Sequence, residues 1–543
     1  MTIAIVKQDY PLRAVVPVPR SFASIVNMPG ALASLRSSRS PLRVFASLVL
    51  VTLAAYEVAQ LILGGDMNSL LYVGLFIAGA IGAVTVLNDW RKGVYLFLAW
   101  ILFEDFVRKY LGNNMAIYFV KDVLALLLYL SFFGVGRINP AERLRPPFLV
   151  PLLCFIFLGI IQVFNPSSTS VFYGLMGVKL YFLYVPLLYV GYRLIDSERR
   201  LRSFLAFNTV LILVVVGLGI AQAILGHTFL NPEVLQEDIR DLSTIYRATA
   251  VTGVTAYRPT SVFVSAGRFQ NFLIISWIVT LGYGGFLFLR SRRGRLIAFT
   301  CIGILAAGTL LTGSRGVLLW NCVSALFLAA GFLWGVKWHN REGARAVRAI
   351  QRAALFVSIA IVVLIVIFPE ALSSRLAIYS QTLDPSNPTS ELYSRSGSYP
   401  LNNFMLAFQY PKWPYGYGIG TASLGGQYVA RIMHAVPMRI GVESGYGQLV
   451  LELGILGLLQ WIVLATAISL SAWRAVKNLR GTPWFPIAFA IFWYGFLLVG
   501  PISYYGLTSY EDFVMNAYFW LLLGILFRLR AVAKSPEFLS VEK

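Results

Sequence analysis

The sequence predicts an all-α polytopic membrane protein of about fourteen transmembrane helices, with a large polar loop between the eleventh and twelfth. Three observations carry this expectation. Of 543 residues, 58% are hydrophobic and only 13% charged, with a mean hydropathy of +0.71, and a soluble chain of this length needs far more polar surface. Many apolar runs approach the roughly 20 residues that cross a bilayer as a helix, far longer than a barrel strand. Finally, the Lys and Arg residues behind the net charge of +21 lie mainly in short turns between apolar runs, which is the pattern of cytoplasmic loops. That placement argues against nucleic-acid binding.

Taken in order, residues 1–43 hold Pro, Ser and Arg without a long apolar core and read as a cytoplasmic tail, not a signal peptide. The transmembrane domain covers 44–528. Its first four spans fall at 44–63, 70–87, 94–106 and 117–133, with Arg91 and Lys92 after the second and Arg137, Arg143 and Arg145 after the fourth. The next pair, 148–164 and 171–192, ends in Arg193, Arg199, Arg200 and Arg202. The seventh and eighth, 204–225 and 272–289, enclose a first long polar loop, 227–268, and are closed by the basic run from Arg290 to Arg295. A tight hairpin around Thr312-Gly313-Ser314-Arg315-Gly316 joins the spans 296–311 and 317–336. The eleventh, 354–368, opens into the large loop 369–447. The last three are 448–469, 486–499 and 517–527, followed by a basic tail, 529–543. The basic turns alternate, so both termini lie inside and both long loops outside. One turn breaks the pattern: Arg108 and Lys109 fall outside, with Glu104 and Asp105 one turn away as partners.

Cys154, Cys301 and Cys322 all lie in apolar runs, so no disulfide framework is expected. His227, His339 and His434 are far apart, and no metal-ligand spacing is present in the sequence. No cofactor or metal is expected.

The residues suited to chemistry lie outside. Arg315 is held at the membrane surface by its short hairpin, while Arg258 and Arg268 precede the eighth span. Guanidinium groups capture phosphate oxygens in bidentate fashion, although the same residues suit lipid-interface anchors. Lys179 has no carboxylate in its own span and is a further candidate for a phosphate, whereas Lys121 and Asp122 suit a mutual or cross-helix ion pair. In the large loop, His434 has the pKa range of a general base, Glu443 competes for that role, and Arg395, Arg431 and Arg439 suit anionic groups. Glu452, on an apolar helix, suits a bond to a neighbouring helix or loop, with Gly454 and Gly457 permitting close approach.

The order of the GSRG hairpin, a long outer loop with Arg395 ahead of YPKWPYGYGIGT, and then ESGYGQLVLELGILGLL resembles the O-antigen ligase and O-antigen polymerase superfamily over roughly residues 257–459. The resemblance implies an inverting, metal-independent glycosyltransferase of the bacterial inner membrane. It would take a glycan from an undecaprenyl diphosphate-linked donor on the periplasmic face. Acceptor glycan, membrane lipid and other polysaccharide assembly proteins are the implied partners. It gives Arg315 and Arg258 the leaving-group role and His434 that of the base. Family members often carry His-Asn just before the aromatic that precedes the helix, whereas this chain has Glu443-Ser444 there. That departure favours a polymerase of an exported polysaccharide over a ligase that attaches a finished glycan. A transporter or flippase is the alternative from another class, but its internal repeats are not evident between the halves of the chain.

Overall fold

A computed structural model describes residues 67–111, 115–134, 144–231, 246–248, 255–336, scattered positions in 347–363, 366–383, 398–423, 426, 429–430, 441–506 and 509–532. Residues 1–81 and 82–543 form two separate units. Of the first, the described part is the beginning of helix α1 (Met67–Asn88). The expected first span lies outside the described residues, and the eleventh is described only at interrupted positions.

The second unit continues with α2 (Trp90–Tyr110), α3 (Met115–Gly134) and α4 (Leu149–Val163). The next expected span divides at Pro186 into α5 (Val171–Phe182) and α6 (Leu187–Leu194). Helix α7 (Glu198–Leu225) starts at Ser197, whose hydroxyl accepts from Arg200 N, and stops at Gly226. A short antiparallel pair, β1 (Tyr246–Ala248) and β2 (Thr255–Tyr257), precedes α8 (Ala266–Arg290), α9 (Arg292–Leu311) and α10 (Arg315–Gly335). The large loop contributes α11 (Pro369–Leu383) and α12 (Ser398–Leu406), and the chain ends in α13 (Gly445–Lys477), α14 (Phe485–Leu497) and α15 (Phe513–Val532). Among the described residues, nine helices are long and apolar enough to cross a membrane. They coincide with the fourth, the sixth to tenth and the twelfth to fourteenth expected spans. The count of fourteen is thus matched only in part.

Helix α15 lies at the centre of the second unit, buried along nearly its whole length. It runs against α6, where glycines on both sides bring the backbones together: a Cβ on Gly191 would strike Leu521 O, and one on Gly524 would strike Leu188 O. At one end of the bundle, basic residues tie the helices together: Arg290 pairs with Glu198 at 2.6 Å, Arg91 with Asp196 at 3.4 Å, and Arg528 Nε donates to Ile195 O at 3.2 Å. The opposite end carries the polar loops and is called the loop side below.

One helix is broken there. In α13, Gly454 has φ +71°, and the carbonyls of Leu451 and Glu452 accept from Tyr417 N (2.7 Å) and Gly418 N (3.1 Å) of the large loop. Ile455 N returns a bond to Pro414 O at 3.2 Å, and the Glu452 carboxylate accepts from Ala422 N at 3.0 Å. Gln162 Nε2 and Asn165 Nδ2 of the α4 end hold the carbonyls of Tyr415 and Gly416 at 2.9 and 3.1 Å. The segment from Pro414 to Ala422 is therefore inserted between α4, α5 and α13, and its backbone bonds replace those the broken helix lost. The sequence supplies the glycines this needs: Gly416 has φ +80°, and a Cβ there would lie 2.6 Å from Glu452 O.

Gly454→Ala places a Cβ 2.5 Å from Pro414 O on a backbone with positive φ, so it should lower stability by about 1–3 kcal/mol. Gly217→Ala, in α7 with open space around its Cβ position, should be neutral or slightly stabilising. Thermal unfolding of the detergent-solubilised protein checks both, and equal midpoints for the two variants would contradict the seated loop.

Candidate functional site

Three stretches far apart in sequence meet at the loop side. The α9–α10 hairpin turns at Gly313, with φ +63°, and Ser314 Oγ bonds Gln270 Oε1 of α8 at 3.0 Å. This fixes Arg315 as the first residue of α10, half-buried at the hairpin tip. A Cβ on Gly313 would lie 3.7 Å from Arg375 Cγ of α11. Arg375 is itself buried, and its Nη2 donates to Tyr257 O at 2.9 Å. The residue after Tyr257 is Arg258, half-buried at the end of β2. Tyr379, one turn beyond Arg375, donates to Leu310 O at 3.1 Å and so clamps α11 on the hairpin. Burial lowers the Arg375 pKa from its ordinary value, Tyr379 and Tyr257 pull it back up, and the group stays cationic. The chain positions of Arg258, Arg315 and Arg375 are thereby brought close together by a strand end, a hairpin tip and a loop helix. Such a set suits a polyanion at the membrane surface.

Arg375 was not among the residues read from the sequence. A signal was available, since the charge rule disfavours arginine in a loop expected to lie outside. It was hidden because its helix lies in the loop and carries no hairpin motif.

Arg268 and Lys179 have a different setting from the one expected. Arg268 Nη1 donates to both carboxylate oxygens of Asp105, at 2.9 and 2.7 Å, and its guanidinium lies 4.8 Å from the Phe513 ring centroid. Lys179 pairs with Asp122 at 2.6 Å. A phosphate at either would have to displace a carboxylate. Both belong to a buried network between α2, α3, α5 and α8. Asp105 also holds Arg108 at 2.9 Å and accepts from Val264 N at 3.2 Å, while Glu104 pairs with Lys121 at 3.1 Å. Lys109 Nζ donates to Thr260 Oγ1 and Ser261 O, at 3.0 and 2.8 Å. Gln222 Oε1 accepts from the amides of both Thr260 and Ser261, at 2.8 and 2.7 Å. Lys109, anomalous in the sequence, thus anchors the segment that leads from β2 into α8, while Arg108 is held by carboxylates of its own helix.

The candidate base Glu443 is exposed just before α13. The Tyr399 hydroxyl donates to its carboxylate, and Glu443 N donates to Asn403 Oδ1 at 3.3 Å. Tyr399 and Asn403 lie on one face of α12, since they are four residues apart. A run of aromatic rings links this corner with the hairpin. Trp320 of α10 contacts Tyr505 at 6.2 Å, Tyr505 contacts Tyr504 at 5.5 Å, and Tyr504 contacts both Phe404 of α12 and Tyr446 of α13, at 6.0 and 5.8 Å. Trp320 follows Arg315 by five residues on the same helix. His434, Arg395, Arg431 and Arg439 lie outside the described residues. Among the described residues, no group of three or more His, Cys, Asp or Glu could hold a metal ion.

The chain matches no known family model and no curated protein.

Removing Asp105 leaves the buried guanidinium of Arg108 and the partly buried one of Arg268 without their shared anion. Asp105→Asn should therefore cost about 3–5 kcal/mol, and Arg91→Ala, at an exposed ion pair, under about 1 kcal/mol. Unfolding of the two variants side by side tests this, and a small loss for Asp105→Asn would mean that the network does not hold the loop side together.

Proposed function

We propose that the chain is a glycosyltransferase of the bacterial inner membrane that polymerises an exported polysaccharide. It takes a glycan from an undecaprenyl diphosphate-linked donor and joins it to a sugar hydroxyl of an acceptor repeat unit, with inversion and without a metal. In this reading the full set of fourteen spans is present, both termini are cytoplasmic, and the loop side faces the periplasm. The observation that supports it most is the meeting of Arg258, Arg315 and Arg375 at the hairpin tip. A diphosphate whose polyprenyl chain lies in the bilayer has its headgroup at that depth.

The chemistry follows from the charges. The acceptor oxygen forms a bond to the anomeric carbon as the bond from that carbon to the diphosphate oxygen breaks. The electron pair leaves with the diphosphate, whose negative charge grows. Guanidinium groups already fixed in place bind that charge more strongly in the transition state than in the ground state. Displacement from the opposite face inverts the anomeric centre. The hydroxyl proton passes to a base at the loop, Glu443 or His434. The hydrogen bond from Tyr399 holds the exposed Glu443 carboxylate beside α12.

Arg315→Ala and Arg375→Ala should each lower the transfer rate on the order of 10²–10³-fold while the protein still reaches the membrane in normal amount. Normal polymer from both variants would remove the diphosphate clamp. For the base, Glu443→Gln is compared with His434→Ala in the same assay, and the variant that loses transfer while retaining donor binding identifies the group. The assay supplies purified protein with polyprenyl diphosphate-linked repeat units. Longer lipid-linked chains mean a polymerase, transfer to a different acceptor means a ligase, and movement of the lipid without a new bond means a transporter.

A further inference from the structure

Beside Glu443 the large loop forms an open groove of about 300 Å³, lined by Leu406, Gln409, Tyr410, Pro411, Gly441 and Val442. Its position relative to the base is set by one helix. Tyr399, Asn403 and Leu406 are spaced by four and three residues and share a face of α12. The first two hold Glu443 by its carboxylate and its amide, and the third lines the groove. Val442, the residue before Glu443, also lines the groove, so the groove begins next to the candidate base. Its two walls are tied together, because Gly441 N donates to the Tyr410 hydroxyl at 3.3 Å. Behind it, Ala407, Val442, Val450 and Leu451 form a small apolar core of their own, against which Phe408, Tyr410 and Trp413 pack. The groove is thus a fixed surface feature with a solid floor.

We infer that this groove binds the acceptor glycan, holding one or two sugar rings so that the terminal hydroxyl reaches Glu443. The inference rests on the glycosyltransferase reading above. The chemistry of the lining suits a neutral sugar. The ring of Tyr410 and the flat face of Pro411 meet the apolar faces of a pyranose, and the Gln409 amide offers both a donor and an acceptor to its hydroxyls. The volume lies at the lower end of small-molecule sites. Arg258, Arg315 and Arg375 lie at the hairpin tip, so donor headgroup and acceptor have separate places. The aromatic run from Trp320 through Tyr505 and Tyr504 to Phe404 crosses the interval between them.

The test uses the full-length protein in lipid nanodiscs, with two variants at exposed positions of the groove, Gln409→Ala and Gly441→Trp. The first removes the amide and the second fills the space, where a Cβ meets nothing within 4 Å. In the extension assay, both should raise the apparent KM for the acceptor roughly tenfold or more, as expected from loss of a sugar-binding hydrogen bond or of the space itself. The KM for the lipid-linked donor should stay within about twofold. Equal changes for donor and acceptor, or no change, overturn the assignment. A second readout does not need the reaction. Glycan fragments released by mild acid from the producing cell's own envelope polysaccharide are titrated against the protein, with tryptophan fluorescence as the signal. Saturable binding that Gly441→Trp abolishes supports the groove, and absence of binding to the wild type overturns it. If fragments bind but no lipid-linked chain is extended, the glycosyltransferase reading fails while the groove stands as a glycan site.

Discussion

An ionised group inside an apolar slab must find its counter-charge within the protein, and Asp105 is where this constraint acts most strongly. One carboxylate, fully buried, receives Arg108 from its own helix, Arg268 from α8 and the amide of Val264 between them. The alternative is an isolated charge in a medium of low dielectric, which costs far more than any single packing contact. Three features follow from this one centre. Helix α8 has a fixed start, Gln270 is therefore placed to meet Ser314, and the hairpin tip that carries Arg315 is held against α8. The arginines proposed to meet the diphosphate thus rest on a second, internal set of charges that is already neutralised by its own carboxylates.

The spans were legible because their length and apolar content are local properties. Even the break in the sixth span lies at a proline, Pro186, that the sequence displays. Partners across the bundle were less legible. Lys121 and Asp122 suit a mutual or a cross-helix ion pair, and the structure pairs each with another helix, at Glu104 and Lys179. For Arg268 the charge rule says on which side of the membrane it lies but not what it faces. Its carboxylate is 163 residues away, and no spacing in the sequence reports that contact. The same limit hid Arg375, which acquires its meaning only when α11 folds back on the hairpin.

Glu452 illustrates the intermediate case. Its neighbours, Gly454 and Gly457, indicate that something approaches α13 closely, and a bond to a neighbouring loop is the natural use of a carboxylate there. The structure supplies the loop, with Ala422 N on the carboxylate and Tyr417 N and Gly418 N on the adjoining carbonyls. What the glycines could not disclose is that the helix itself opens to receive it. A break of this kind is invisible to an apolar-run count, because the residues on either side remain as hydrophobic as any other span.

The seated loop has a consequence for how the chain is made. Residues 414–422 leave the ribosome before α13, so this turn-rich segment exists before the carbonyls it will bind. The half of α13 from Ile455 onward can enter the bilayer as an ordinary helix with its own bonds satisfied. In the half from Gly445 to Gly454, the carbonyls of Leu451 and Glu452 bond instead to the loop segment 414–422. The break at Gly454 is therefore complete only once the segment 414–422, made earlier, is seated against it.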